Sequence, residues 1–421
     1  MKKGFSFVIT IVGTQFIVSS VIADTTYVSG VIDTNTVWDT AGSPYIVIGD
    51  VTVNSLVTLD IEPGVEVRID SMKQIMVKGN LYAIGTAADS ILITHFGTAG
   101  WHGLRFTSSA SACSLKYCRI EYANNSAIDN NGSIYIGYNT ISNNSATYDN
   151  GIFNSESAAD ITNNTISNNF SYREGGGICN YDGTVTINNN TISNNSADDY
   201  GSGIYNDGIA TINNNTISNN SADYGGSICN SGTATIKYNT IEDTTASVIY
   251  IDFSDSTFID SNNLYATGYA VYNNSTKNIP AYHNYWGTAS ADTIAMKIWD
   301  YYDDFTKGKV YYEPFAVNPY DFGVEEREIL KQVQNDRLEI YPNPSFGNAV
   351  IKYGLPNKTY ISLKLYNLSG RLVKTIHSGT QAAGYYKISL SRVRGPDLPE
   401  GIYFIQLKSN EFTITRKLII L

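Results

Sequence analysis

The chain has 421 residues, enough for more than one domain, and only 16% of them are charged, while tyrosine alone occupies 32 positions. Its net charge of −11 is unevenly divided: residues 338–421 hold 11 Lys or Arg against 4 Asp or Glu, which leaves 17 basic and 35 acidic residues before them. Because phosphate binding requires Lys and Arg, the acidic part argues against nucleic acid and other polyanions as partners.

The N-terminal segment has the pattern of a secretion signal. Lys2 and Lys3 precede a mostly apolar run, and Ala23 offers a small residue for cleavage. This pattern predicts a signal peptide over residues 1–23; polar residues within the run disfavour the alternative, an uncleaved membrane anchor. No later segment is long and apolar enough to span a bilayer, so the mature chain is predicted to lack a transmembrane span.

From Thr25 to about Ala123 short runs alternate apolar and polar residues without a fixed repeat. Tyr45–Val53 and Thr58–Ile69 are examples. The alternation predicts strands, and the earliest of them are expected to cap a repeated structure that follows.

A block of about 25 residues then recurs, with NTISNN as its most constant part. Each copy contains two short β-prone runs separated by Asn, Gly, Ser and Asp, which predicts a coil of stacked rungs, on the order of ten in number. The first run is centred on Ile141, Ile166, Ile192, Ile217 and Ile241, and the second begins at Ile152, Ile178, Ile204 and Ile228.

Three further residue types recur in register with these isoleucines. Asn154, Asn180, Asn206 and Asn230 each follow the second Ile by two, and we expect them to form a hydrogen-bonded ladder inside the coil. Gly151, Gly177 and Gly203 precede that Ile, where a corner of the coil is expected to need positive φ. Cys179 and Cys229 lie two rungs apart, roughly 9–10 Å and beyond disulfide reach, so they and Cys113 and Cys118 are interpreted as packing residues.

The repeat ends near residue 320. Residues 321–337 read as a polar linker that includes one short helix over Glu325–Val333. From Leu338 about seven short strands in some 84 residues predict a small C-terminal β-sandwich.

Several motifs resemble known families. The segments SPYIVIGDVTV, LDIEPGVEVRI and WHGLRF, and the NYWG turn at Asn284, resemble secreted right-handed parallel β-helix proteins of Bacteroidetes and related bacteria. This resemblance implies an all-β fold, a right-handed parallel β-helix over residues 24–320 with N-terminal capping rungs, and says little about activity.

Residues 338–421 resemble the type A C-terminal sorting domain of the type IX secretion system. The resemblance implies export through that machinery to the outer-membrane surface or the medium; the alternative is an ordinary accessory sandwich. The matching residues are Tyr341, Pro342, Asn343, Pro344, Gly370, Arg371, Gly401, Tyr403, Arg416 and Lys417.

One turn of the repeat carries the candidate binding residues. Rows of tyrosine suit neutral sugars, through ring stacking and hydroxyl hydrogen bonds, although tyrosine is also simply β-prone. The tyrosines of this turn are Tyr148, Tyr172, Tyr200 and Tyr224. The same turn carries carboxylates that could hold Ca²⁺ or could simply be solvated: Asp149, Glu174, Asp198, Asp199 and Asp223.

No complete catalytic set is present. A uronate lyase needs a basic residue, and Arg173 is the only one between Asn124 and Ile236; the pair Asp198–Asp199 is weak evidence for a hydrolase. Three hypotheses follow: a surface-displayed β-helix that binds glycan or another cell without catalysis, which we favour; a diverged polysaccharide hydrolase or lyase; and a structural surface rod.

Overall fold

The computed structural model describes most of the chain between residues 17 and 420. The described residues are 17–21, 25–146, 151–243, 247–253, 256–322, 338–341, 348–355, 359–368, 370–381, 384–391, 401–409 and 413–420. The chain divides into two compact units, Met1–Tyr320 and Asp321–Leu421, each with its own hydrophobic core. The predicted helix over Glu325–Val333 lies outside the described residues, as does most of the predicted signal peptide.

The first unit is a parallel β-solenoid with three faces, so the predicted coil is confirmed. Each coil contributes one strand to each face, and each strand pairs in parallel with its counterparts in the neighbouring coils. Two long early strands, β2 (Thr26–Ile32) and β4 (Tyr45–Val53), serve faces 1 and 2 together, and β1 (Ile17–Val21) pairs antiparallel with β2.

Face 1 continues through strands that start at the second Ile of the repeat. They are β7 (Ile75–Val77), β10 (Leu104–Phe106), β13 (Ile128–Asn130), β17 (Ile152–Ser155), β21 (Ile178–Tyr181), β25 (Ile204–Asn206), β28 (Ile228–Asn230), β31 (Ser247–Ile251), β34 (Tyr269–Asn273) and β36 (Ile298–Trp299).

Face 2 is built on the first Ile of the repeat. Its strands are β6 (Glu66–Asp70), β9 (Ile91–Phe96), β12 (Cys118–Glu121), β15 (Thr140–Ser142), β19 (Thr165–Ser167), β23 (Thr191–Ser193), β27 (Thr216–Ser218), β30 (Thr240–Asp243) and β33 (Asn263–Ala266).

Face 3 was not expected from the repeat, which predicted only two strands per coil. Its inward positions alternate a small residue with Ile, as in Ala159 and Ile161, so the apolar pattern is short and easily overlooked. Its strands are β3 (Thr36–Trp38), β5 (Thr58–Ile61), β8 (Asn80–Ile84), β11 (Cys113–Lys116), β14 (Ser133–Gly137), β18 (Ala158–Thr162), β22 (Thr184–Asn188), β26 (Ile209–Asn213), β29 (Thr233–Lys237) and β32 (Ser256–Asp260).

Short elements complete the unit. β16 (Ser145–Ala146), β20 (Phe170–Ser171) and β24 (Ser196–Ala197) form a small parallel sheet at the corner after face 2. The C-terminal end carries β35 (Ile279–Pro280), α1 (Ala291–Ala295) and β37 (Val310–Tyr311). Within the described residues no helix is long and apolar enough to cross a membrane.

The interior is a set of stacked isoleucine columns. Ile141 pairs with Ile166, and the same in-register pairing continues coil after coil on face 2. These side chains are fully buried. Burying one Leu- or Ile-sized side chain contributes about 1.5–3 kcal/mol, so the columns supply most of the hydrophobic stabilisation of the unit.

The predicted asparagine ladder is confirmed on face 1. Asn154 Nδ2 donates to Asn180 Oδ1 at 2.8 Å, Asn180 to Asn206 at 2.8 Å and Asn206 to Asn230 at 2.7 Å, and all four side chains are buried. Asn130 extends the ladder by one coil, at 2.7 Å from Asn154. The buried amides are therefore satisfied by copies of themselves.

Two further ladders lie at the corners that flank face 2. In both, each side-chain amide also donates to a backbone carbonyl, which satisfies the corner where the chain turns. The ladder before face 2 runs through Asn139, Asn164, Asn190, Asn215, Asn239, Asn262 and Asn284, with spacings of 2.9–3.0 Å. The ladder after face 2 runs through Asn144, Asn169, Asn195 and Asn220.

The prediction of positive φ at Gly151, Gly177 and Gly203 was wrong. Positive φ occurs at Gly175, Gly201 and Gly225, not at the glycines that precede the second Ile. A Cβ on Gly151 or Gly177 would lie 2.8 or 2.7 Å from a backbone carbonyl oxygen of the next coil. Those positions need glycine because neighbouring coils approach too closely for a side chain.

None of the four cysteines forms a disulfide, and all four are buried. The Cys118 thiol is 2% exposed, and burial raises its pKa to about 12. Burial likewise raises the pKa of Cys229 well above its ordinary value. The interpretation of these cysteines as inert packing residues is consistent with both observations.

The second unit contains the predicted antiparallel β structure. One sheet orders β38 (Leu338–Tyr341), β39 (Asn348–Leu355) and β42 (Gly384–Ser391); the other orders β41 (Leu372–Gln381), β40 (Thr359–Asn367), β43 (Gly401–Ser409) and β44 (Thr413–Ile420). Ile351 from the first sheet and Leu363 and Ile405 from the second belong to one buried cluster, so the two sheets share a core.

Candidate functional site

Face 1 carries an outward-pointing column of large and soft side chains. Successive residues of a strand point to opposite sides, so the residue between the buried Ile and the buried Asn faces outward. We call this set the aromatic column: Phe153, Cys179, Tyr205, Cys229, Tyr250, Tyr272 and Trp299, which pair coil by coil.

A turn from each of two coils folds down over the aromatic column. Tyr200 and Tyr224 stack with ring centroids 5.1 Å apart, and Tyr224 lies 5.6 Å from Tyr250. The turn reaches this position because Gly201 adopts φ +52°, and a Cβ there would lie 2.8 Å from Cys229 Cβ. Two of the predicted tyrosines therefore join the column at its surface.

Ring faces in this region are largely occupied by other rings. Tyr250 and Tyr272 stack at 5.2 Å, and Tyr272 and Trp299 stack at 4.2 Å with an interplanar angle of 3°. Desolvation raises the pKa of the hydroxyls of Tyr250 and Tyr272. The stack stabilises the face, and mainly ring edges and hydroxyl groups remain for a ligand.

Beside the aromatic column lies a cleft of about 470 Å³. Two carboxylates, a serine hydroxyl and three aromatic rings surround it. Its lining residues are Tyr200, Tyr205, Asp207, Ser231, Asp252 and Phe253. Cavities of this size that combine aromatic walls with a few polar groups are typical of small-molecule and sugar sites.

Phe253 is the most unusual residue of the cleft. Its side chain is 83% exposed and its backbone has φ +48°. Glu156 and Asp182, at the equivalent corner of earlier coils, have φ +50° and +53°, so the backbone conformation belongs to the corner and the exposed ring is what distinguishes Phe253. Within the described residues the Phe253 ring stacks on no other aromatic ring, so its faces are open to a ligand.

Carboxylates give the cleft a negative character. Asp252 is 9% exposed and accepts a hydrogen bond from Asn274 Nδ2 at 2.9 Å. Burial raises the pKa of Glu174 in the adjoining turn; Arg173 opposes the rise, and the charges of Asp199 and Asp207 add to it. Glu174 therefore retains its proton to higher pH than an ordinary glutamate.

The predicted tyrosines are not all together. Tyr148 lies outside the described residues. Glu174, not Tyr172, pairs with Tyr200, because Glu174 and Tyr200 each stand four residues before the second Ile of their coil, whereas Tyr172 stands six residues before it. Tyr172 is 56% exposed and packs edge-on against Phe170 at 4.7 Å.

The predicted calcium ligands receive no support as a cluster. Asp149 lies outside the described residues, while Asp198, Asp199 and Asp223 are exposed. Across the described part of the chain, no group of three or more His, Cys, Asp or Glu side chains is arranged to hold a metal ion. The calcium site stays a prediction.

Sequence reasoning missed Asp207, Asp252, Phe253, Tyr250 and Tyr272. The sequence contained a signal for them: they stand within two positions of the ladder position, at the outward side or the end of a strand whose inward residues had been predicted. The candidate residues predicted from the sequence lie instead in the most regular turn, where Tyr and Asp recur.

The residues of the sorting motif lie in the second unit. Asn367 Oδ1 accepts from Arg371 N at 2.9 Å across a turn in which Gly370 has φ +78°. Tyr403 is buried in β43, and Arg416 and Lys417 lie on β44. Gly401 and Tyr341 lie at strand ends, while Pro342, Asn343 and Pro344 are outside the described residues.

Comparison with known proteins agrees with this division. A family model for right-handed β-helix regions matches residues 127–286, and one for secretion-system C-terminal sorting domains matches residues 339–421. No curated protein matches the chain.

Among solved structures, the chain is similar to the enzymatically active domain of tailspike protein 4 of bacteriophage CBA120, with 12% identity and a TM-score of 0.22. That alignment covers 93% of this chain and spans 62% of the tailspike chain. The two family matches identify the chain as a right-handed β-helix region followed by a type IX secretion-system sorting domain.

Proposed function

We propose that the β-helix, exported by means of its sorting domain, binds a neutral polysaccharide at the cleft beside the aromatic column and does not cleave it. Phe253 carries this proposal. An exposed ring beside a polar cleft provides the free face on which a sugar ring can stack.

The polar lining supplies the matching hydrogen bonds. Carboxylates accept from sugar hydroxyls, and the Ser231 hydroxyl can both donate and accept. Asp207 and Asp252 lie on opposite sides of Ser231, each one coil away, so the polar groups follow the axis of the solenoid. A ligand with repeated hydroxyl groups fits this arrangement better than a compact one.

Charge selects against acidic polymers. Residues 1–337 hold 35 acidic and 17 basic residues, and Asp207 and Asp252 line the cleft itself. A uronate polymer would therefore be repelled both at a distance and in contact. The charge of the cleft therefore supports a neutral polysaccharide as the ligand.

The test is affinity electrophoresis of the full chain in gels containing dextran, laminarin, xyloglucan, galactomannan, pectate or alginate. We expect retardation by at least one neutral polymer and by neither polyanion. Phe253→Ala should weaken binding about tenfold, as loss of a central aromatic anchor does. Leu56→Ala is the matched control, since Leu56 is also exposed and has φ +65° but lies in a distant coil.

Equal retardation of the wild type and of Phe253→Ala would contradict the proposed site. Retardation by pectate or alginate alone would contradict the ligand class. Free migration in every gel would favour the structural rod.

A hydrolase is the second candidate, because two carboxylates line one cleft. Asp207 and Asp252 are two coils apart, which corresponds to roughly 10 Å between their backbones. Inverting glycosidases separate their carboxylates by about 6.5–9.5 Å, within reach of side-chain rotation from that spacing. Release of reducing ends that Asp252→Asn abolishes would establish this activity and overturn non-catalytic binding.

A further inference from the structure

We propose a second ligand site, at the C-terminal end of the β-helix, which takes a single neutral pyranose ring. The site is a cleft of about 550 Å³, within the range of about 300–1,000 Å³ found for small-molecule sites. It shares only its class of ligand with the cleft at Phe253 and has no lining residue in common with it. Its main lining residues are Tyr282, Tyr302, Lys309, Tyr311, Tyr312 and Glu313.

The loop that forms this cleft is held in place before any ligand binds. The buried carboxylate of Asp300 accepts from Tyr302 N at 3.0 Å and from Val310 N at 2.7 Å. Lys309 N donates to Asn278 Oδ1 at 2.9 Å, which ties the loop to the preceding coil. A braced site loses little conformational entropy on binding.

An ammonium and a carboxylate line the cleft without pairing. Lys309 Nζ lies 4.7 Å from the ring centroid of Tyr301 and 5.0 Å from that of Tyr302. Within the described part of the chain, neither Lys309 nor Glu313 forms an ion pair. The two rings hold the ammonium in place without neutralising it.

These charges define the ligand. Neighbouring sugar hydroxyls can accept from Lys309 and donate to Glu313 at once, because a hydroxyl is both donor and acceptor. A uronate could pair with Lys309 but would be repelled by Glu313, and an amino sugar could pair with Glu313 but would be repelled by Lys309, whereas a neutral sugar meets repulsion from neither group. Tyr302 is 74% exposed and Tyr311 is 44% exposed, so both rings offer apolar surface to the C–H groups of a pyranose.

The test is saturation-transfer NMR on the full chain with glucose, galactose, mannose, glucuronate and glucosamine. We expect transfer to at least one neutral sugar and a stronger signal from it than from either charged sugar. Tyr302→Ala should weaken binding about tenfold, and Glu313→Gln about fivefold. Tyr138→Ala, at an exposed tyrosine of a distant coil, should leave the affinity unchanged.

Phe253→Ala should also leave this binding unchanged, so failure of this site and failure of the proposed polysaccharide site can be distinguished. No transfer to any neutral sugar would overturn the inference. So would unchanged affinity in both Tyr302→Ala and Glu313→Gln, or tighter binding of glucuronate or glucosamine. Far-ultraviolet circular dichroism of each variant confirms that the solenoid is intact.

Discussion

Two sets of coils can be compared: the repeated coils over residues 139–241 and the coils that follow them. They carry different residue types at equivalent positions. In the repeated coils the interior isoleucines and the ladder asparagines stack on their own copies. At the next coil Ile251 replaces the ladder asparagine opposite Asn230, whose amide turns instead to Thr257 Oγ1 at 2.8 Å. Asp252 and Phe253 immediately follow this break.

The repeated coils stabilise the solenoid, and the coils after them carry the proposed binding residues. Repetition supplies stability, because the buried amides of the ladders find partners in the neighbouring coil. A coil outside the repeat need not match its neighbours. It can therefore carry side chains that serve a ligand instead of the stacking. Both proposed ligand sites include residues from beyond the break, and the predictions below test that separation.

The largest expected effect is on an asparagine ladder. Asn190→Ala should lower the free energy of unfolding by about 3 kcal/mol, since each buried partner left unsatisfied costs about 1–3 kcal/mol. Asn190 Nδ2 donates to Ile161 O at 2.8 Å, and its Oδ1 accepts from Asn164 N at 2.8 Å. Urea denaturation measures the change.

Asn194→Gly is the matched control for that variant. Asn194 is exposed and has φ +56°, which glycine tolerates, so the change should stay within about 0.5 kcal/mol. Equal losses of unfolding free energy in the two variants would contradict a stabilising role of the ladder.

The second effect concerns the contact between coils. Gly177→Ala places a Cβ 2.7 Å from Gly203 O and should cost about 1–3 kcal/mol through overpacking. In Gly49→Ala the nearest atom is Ser29 Cβ at 3.1 Å, and the cost should be smaller. Thermal denaturation compares the two; a larger loss in Gly49→Ala would argue against close backbone approach at the repeat.

The third effect concerns the aromatic column. Tyr272→Leu removes the stacks on Tyr250 and Trp299 and should cost about 1 kcal/mol beyond the lost burial. Tyr181→Leu, at a half-exposed tyrosine on the same face, should have little effect. Near-ultraviolet circular dichroism should change in the first variant only; identical spectra for the two would contradict a rigid stack.

The smallest effect is a pH dependence. The pKa of Glu174 is raised in the folded protein, so its ionised form destabilises the fold and its protonated form does not. Glu174→Gln should therefore raise the denaturation midpoint at pH 7, with a gain that shrinks as pH falls through the raised pKa and vanishes below the ordinary value of about 4.5. A gain that is constant with pH would refute this sign.

The sequence allowed the fold to be predicted well and the candidate site poorly, for one physical reason. The spacing between coils constrains the identity of interior residues. Ile141 and Asn154 therefore recur at a fixed period and can be recognised in the sequence. Asp252 and Phe253 lie on the surface, where neighbouring coils impose no identity, and no repetition marks them. The third face was not predicted because its inward positions include small residues such as Ala159, which leave a short apolar pattern.

The most direct test is amide hydrogen exchange of the full chain with and without saturating oligosaccharides prepared from the neutral polysaccharides of the gel panel. We predict protection in peptides covering residues 198–207 and 247–253, and none in the repeated Thr-Ile-Ser strands over 165–167 and 191–193. Protection along those repeated strands, or none at either set of peptides, would contradict the claim that the break in the repeat forms the binding site.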